Sequence, residues 1–79
     1  MNETLNIYVD WNDHYGNDQI GLNCRGALDD IQKQNIVFSE GLRVRLYGDA
    51  LEAEAIITFR TLERVWVAEL IKNTLRECK

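Results

Sequence analysis

Between Leu42 and Phe59 apolar and polar residues alternate with a period of two, and the alternation is interrupted at Gly48-Asp49. A β-strand sends successive side chains to opposite faces. The pattern therefore specifies two half-buried strands joined by a tight turn and excludes a helix, whose apolar positions recur every three or four residues. Leu42, Val44 and Leu46 face inward from the first strand, and Leu51, Ala53, Ala55, Ile57 and Phe59 from the second. A Gly-Asp pair suits a two-residue type II′ turn. That turn sets Tyr47 opposite Ala50, Leu46 opposite Leu51, Arg45 opposite Glu52, Val44 opposite Ala53 and Arg43 opposite Glu54. Both Arg–Glu pairs then lie on the solvent face, where mutual pairing accounts for them without a ligand.

The same period recurs elsewhere. Leu5, Ile7, Val9 and Trp11 alternate with Asn6, Tyr8 and Asp10, which predicts a first strand over 4–11. Residues 12–18, rich in Asn, Asp and Gly, read as a loop. Ile20, Leu22 and Cys24 predict a second strand. Ala27, Leu28 and Ile31 then fall on one side of a short helix over 27–34, with Asp29 and Asp30 near its start and Asn35 able to end it. Ile36-Val37-Phe38 is a brief extended run. A last strand over 65–70 pairs Phe59 with Trp66 and turns Trp66, Ala68 and Leu70 inward. Ile71, Leu75 and Cys78 recur at helical spacing and predict a terminal helical turn over 71–77.

Strand, strand, helix and a three-stranded meander make a mainly β single domain over 1–79. Short strands around a small core tend to close on themselves and so remove exposed edges. The expected architecture is a small five-stranded SH3-like barrel. The alternatives are an oligonucleotide-binding type of barrel or an open antiparallel sheet covered by a helix.

Seventy-nine residues with 46% hydrophobic and 28% charged residues suffice for one folded domain and depart from the composition of disorder. The net charge of −4 argues against a surface that tracks nucleic-acid phosphates, because such binding runs on clustered Lys and Arg. No apolar run approaches the ~20 residues of a membrane-spanning helix, and the N-terminal stretch lacks the pattern of a signal peptide, so a cytoplasmic protein is expected. Cys24 and Cys78 lie far apart, with no C-x-x-C and one histidine in the chain. Neither a zinc site nor a dithiol motif is spelled out, and both thiols are expected to be reduced.

Catalytic signatures are equally sparse. A nucleophile needs an adjacent base oriented by a third group. His14 lies in a loop, Ser39 in a turn, and neither cysteine neighbours a histidine in sequence. Glycine-rich phosphate loops and H-E-x-x-H are absent. Asp10, Asn12, Asp13, Asn17 and Asp18 lack the ligand spacing of an EF-hand loop and serve better as turn formers. No catalytic residue, metal ligand or cofactor is expected, and the chain reads as a non-catalytic module.

The run Gly26, Leu28, Asp30, Ile31, followed by Glu40, Gly41, Leu42, Val44, Leu46 and Tyr47 and by Trp66, Val67 and Ala68, resembles a group of short bacterial β-rich proteins. The similarity extends from Leu22 to Arg76. Ala27, Asp29, the short Gly48-Asp49 turn and Glu69-Leu70 depart from the group's pattern. The resemblance implies a compact SH3-like barrel and carries no established activity.

Two surfaces remain as candidates. Tyr47, Ile56, Val65 and Val67 point away from the core and form an outer apolar stripe, which either Ile71 and Leu75 or another chain must cover. This supports a protein-interaction or structural module, self-associating where a second copy supplies the cover. The competing alternative is a small binding domain for nucleic acid or an acidic ligand, with Arg60, Arg64 and Lys72 as cations and Trp11 or Tyr15 as a stacking surface. An acidic surface offered to a basic partner is a third alternative, resting on charge alone.

Overall fold

A computed structural model describes residues 5–16 and 18–77. Thr4, Asn17 and Cys78, which the sequence assigns to the first strand, the following loop and the terminal turn, lie outside them. The chain runs through β1 (Leu5–Tyr8), β2 (His14–Tyr15), β3 (Gln19–Gly21), α1 (Arg25–Lys33), β4 (Arg43–Gly48), β5 (Leu51–Arg60), β6 (Val65–Leu70) and β7 (Arg76–Glu77). The strands form one mixed sheet in the order β1-β4-β5-β6-β3-β2, with β7 paired to β5. The expected mainly β domain is present. Among the described residues the strand path has two ends, so the sheet is open where a closed five-stranded barrel was expected.

The alternating residues make the core. Ile7, Val9, Ile20, Leu22, Val44, Leu46, Ala55, Ile57 and Ala68 are buried together with Ala27 of α1 and Ile36, and Leu5, Trp11, Phe38, Trp66 and Leu70 pack around them. Phe59 lies opposite Trp66, as the sequence predicts.

The β4–β5 hairpin differs from its expected register. Leu46 faces Ala53, Arg45 faces Glu54 and Arg43 faces Ile56, and Gly48 and Leu51 are the last pair. The turn residues are Asp49 and Ala50, with φ of 49° and 62°, the two positive values of a type I′ turn. A slip of two residues preserves which side chains face the core, so the buried set is unchanged. Arg43 still reaches Glu54 and Arg45 still reaches Glu52, now across the diagonal, a span that long side chains cover. The cause lies outside the hairpin. Gly48 stays in the strand because the segment that follows β1 passes close beside it: a Cβ there would sit 2.6 Å from the carbonyl oxygen of Val9. In addition, the Trp11 indole donates to the Gly48 carbonyl at 2.7 Å.

Ala50 therefore occupies a left-handed conformation that costs a residue with a Cβ about 1–2 kcal/mol. Ala50→Gly relieves that strain against a smaller loss in the unfolded chain. It should raise stability by roughly 0.5–1 kcal/mol in urea denaturation. A decrease would contradict the turn assignment.

β1 runs parallel to β4, Leu5 facing Val44 and Tyr8 facing Tyr47, a pairing that the alternation pattern did not reveal. A parallel pair needs a long crossover, and here β2, β3 and α1 supply it. The crossover also seals the free edge of β1. Gln34 accepts from the Asn6 amide at 3.2 Å and donates to the Asn6 carbonyl at 2.6 Å. Asp30 accepts from the Tyr8 amide at 2.9 Å, and the Cys24 thiol lies 3.9 Å from the Tyr8 carbonyl. Four backbone groups that would otherwise invite another strand are thus taken by side chains of this short segment.

The helix begins at Arg25, with no acidic residue in its first turn. Asp29 and Asp30 are therefore mid-helix residues, and the expected macrodipole role does not apply. Asn35 ends the helix as predicted: at φ 53° it places the Ile36 amide on the Ile31 carbonyl and its own amide on that of Gln32, a Schellman closure.

The C-terminal helical turn expected over 71–77 is absent. The Ile71 amide donates to the Glu54 carbonyl at 2.8 Å, and the Thr74 hydroxyl accepts from the Glu54 amide at 3.0 Å. Beyond these, Arg76 and Glu77 pair with Glu52 and Leu51. β5 extends past the end of β6, and its unpaired backbone groups capture the tail as a strand. Backbone pairing outweighs a helical spacing carried by three residues.

Candidate interaction surface

The outer face of the sheet carries Arg43, Arg45 and Tyr47 from β4, Glu52, Glu54, Ile56, Thr58 and Arg60 from β5, and Val65, Val67 and Glu69 from β6, as the ladder registers require. Its carboxylates are mostly neutralised where they stand. Glu54 is held by Arg43, and Glu52, only 7% exposed, is held by Arg45 and Arg76. Glu63 meets Arg60 at 2.8 Å. The Arg43 guanidinium keeps the Glu54 carboxyl below its ordinary range, and Arg60 does the same for Glu63.

The four stripe residues occupy different surroundings. Val67 is fully buried within the single chain. It lies opposite Gly21, and a Cβ on Gly21 would run into Asp13 and come within 2.9 Å of the Tyr15 ring. The side chains of Asp13 and Tyr15 thus lie over this part of the outer face. Val65 and Ile56 are half-buried. Tyr47 lies at the far edge, edge-on to Tyr8 with ring centroids 5.7 Å apart, and its hydroxyl donates to Asp30 at 2.6 Å.

The Asp30 carboxylate raises the Tyr47 phenol to about 12, first through that hydrogen bond, with burial and charge repulsion adding to it. A phenol raised above its unfolded value contributes stability that is fully present below the unfolded pKa near 10 and lost as pH rises through the folded value. In a ring-carbon NMR titration, Tyr47 should still be protonated at about pH 11, and Asp30→Asn should bring its midpoint down toward 10. A wild-type midpoint at 10 would contradict the Tyr47–Asp30 hydrogen bond.

The residues of the second sequence-derived patch are engaged with other parts of the fold. The Arg60 guanidinium lies over the Tyr15 ring, 5.5 Å from its centroid, bonds Gln19 and makes two 2.8 Å bonds to Glu63. Trp11 is tied to Gly48 and packs on the core. Arg64 is an exposed loop residue at φ 59° whose amide closes the β5–β6 turn on the Arg60 carbonyl. Tyr15 and Arg60 are in contact, and the structure gives Trp11 and Arg64 separate local roles.

A surface groove of about 650 Å³ opens beside Ile56, lined also by Asp18, Glu69, Leu70, Ile71, Lys72, Asn73 and Leu75. One wall is the 71–75 segment, where the strand partner of β5 bulges out between β6 and β7. Thr74 fixes the bulge by donating to the Ile71 carbonyl at 2.6 Å while holding Glu54, and Asn73 turns it at φ 68°. The other wall is Asp18, whose carbonyl accepts from the Leu70 amide at 2.8 Å. Bulges re-aim side chains at sheet edges, and here the bulge brings Ile71 and Leu75 to the same groove as Ile56. Leu75 stays 54% exposed. Lys72, expected beside Arg60 and Arg64 in a basic patch, instead lines this groove with Asp18, Glu69 and Asn73; the sequence did not bring these four together, because the groove depends on a bulge that the helical spacing of 71–78 obscured.

No group of three or more His, Cys, Asp or Glu among the described residues is placed to hold a metal ion, and no helix among them is long and apolar enough to cross a membrane. Comparison with protein-family models, with curated proteins and with solved structures found no match.

Proposed function

We propose that this chain is a non-catalytic protein-interaction module that binds its partner in the groove between β5, β6 and the 71–75 bulge. The observation that supports this most is the half-exposed Leu75 beside Ile71 and Ile56 on the outer face. Elsewhere on that face Val67 is buried by the chain itself, whereas these three aliphatic side chains share an open concavity. The groove's volume lies within the roughly 300–1,000 Å³ range of small binding sites. Its wall is tied to β5 by backbone and Thr74 bonds, which lowers the ordering cost of binding. The alternative built on a basic patch gains no support, because Arg60 is already bonded to Glu63 and Gln19.

A displayed random-peptide library selected on the folded chain tests the proposal. Enriched peptides should lose at least about tenfold in affinity on Leu75→Asp, since a carboxylate in an aliphatic contact costs more than 1.4 kcal/mol. Leu62→Asp, at an 89% exposed position of the β5–β6 turn, should leave them unchanged. Failure to enrich any peptide, or peptides indifferent to Leu75, would contradict the groove as the binding site.

A further inference from the structure

The charges around the groove differ from those on the rest of the outer face. Glu52, Glu54 and Glu63 each have an arginine within ion-pair distance. Asp18 and Glu69 are in no ion pair with another described residue, and the polar contact made by the Glu69 carboxylate is an amide bond from Gln19 at 3.3 Å. Lys72 lines the groove as well, so two carboxylates stand against one ammonium, in a chain whose net charge is −4. An aliphatic floor edged by unneutralised acid complements one kind of surface: a segment presenting an aliphatic side chain next to Lys or Arg. A second copy of this chain fits poorly, because it would bring the same acidic edge and the same net charge, and like charges facing across an interface are costly.

From this juxtaposition we infer that the groove's occupant is a cationic, aliphatic-bearing segment of a different protein. The inference rests on the groove being the binding site, as proposed above. The partner's leucine- or isoleucine-like side chain enters between Ile56, Ile71 and Leu75, and its flanking cation lies against Asp18 and Glu69. Lys72 sets a constraint of its own, because a partner cation placed beside it is repelled, so the basic residue belongs on the Asp18–Glu69 side.

Three short peptides, alternating leucine with lysine, with glutamate or with serine, separate the terms when titrated into isotope-labelled protein. The lysine peptide should bind at least about tenfold tighter than the glutamate peptide at low salt, and the gap should narrow as salt screens the exposed charges. Its shift changes should centre on Ile56, Glu69 and Leu75, and the Asp18→Lys/Glu69→Lys double variant should reverse the preference between the two charged peptides. If the serine or glutamate peptide binds as well as the lysine peptide and remains sensitive to Leu75→Asp, the groove stands as a binding site and the cationic partner is wrong. If none binds, both fail. Sedimentation showing a dimer that Leu75→Asp dissociates would identify a second copy as the occupant and overturn the inference.

Discussion

Val67→Lys should unfold the domain. Val67 has no exposed surface in the single chain, and the Tyr15 ring and Asp13 lie over its cross-strand neighbour Gly21. A lysine there must either bury an unpaired ammonium, at a cost of several kcal/mol, or displace the β2–β3 hairpin. Small domains are stable by roughly 5–15 kcal/mol in total, with short chains toward the low end. Circular dichroism should show a fold that is lost or melts far below wild type. A variant with wild-type thermal stability would mean that Val67 lies at an open surface, as the bare alternation of β6 suggests. In that case the substitution should act on association and leave folding intact.

Trp66→Ala should cost about 3 kcal/mol, the lower end of the range for large aromatic truncations, because the indole is half-buried. Its ring sits between Phe38, with centroids 5.7 Å apart, and Phe59, at 5.1 Å. Edge-on and tilted aromatic pairs of this kind add roughly 0.5–1.5 kcal/mol each beyond their buried area. Removing the indole takes both contacts at once and leaves Phe38 without its neighbour on β6. Urea denaturation followed by far-ultraviolet dichroism reads the loss. A change below about 1 kcal/mol would show that Trp66 contributes little to the core.

The elements that alternation specifies were legible because one face of each strand is buried. Leu42, Val44 and Leu46 against Ala53, Ala55 and Ile57 define a core face whatever the register, and the same logic placed Phe59 against Trp66. The register itself was not legible. Gly48-Asp49 is the stronger turn signal, and what moves the turn to Asp49-Ala50 is the approach of Val9 and Trp11, which follow a strand distant in sequence. Asp30 shows the same limit. An aspartate near a predicted helix start invites a dipole explanation, yet its partners are the Tyr8 amide and the Tyr47 hydroxyl, which come within reach only once α1 lies along β1. Helix termination at Asn35 was legible because every group in it belongs to one short segment.

The groove was the least legible feature. Ile56 was recognised as an outer apolar residue, and Ile71 and Leu75 as residues that could come near it, but in the form of a helix. Whether a tail with such spacing coils or extends depends on unpaired backbone groups along β5, and these exist because β5 is longer than β6. Val67, the other strongly apolar member of the stripe, is removed from the surface by a hairpin whose Asn, Asp and Gly residues gave no hint of a packing role.

The proposed binding mode requires an outer face closed by the chain itself at Val67 and open at Leu75 and Ile56. Methyl-resolved relaxation by a soluble paramagnetic agent measures that difference in a single sample. The Leu75 methyls should relax strongly, those of Ile56 to an intermediate extent and those of Val67 as weakly as the core methyls of Ile57. Addition of a groove-binding peptide should protect Leu75 and Ile56 and leave Val67 unchanged. Equal relaxation at Val67 and Leu75, or peptide protection that falls on Val67 while sparing Leu75, would contradict it.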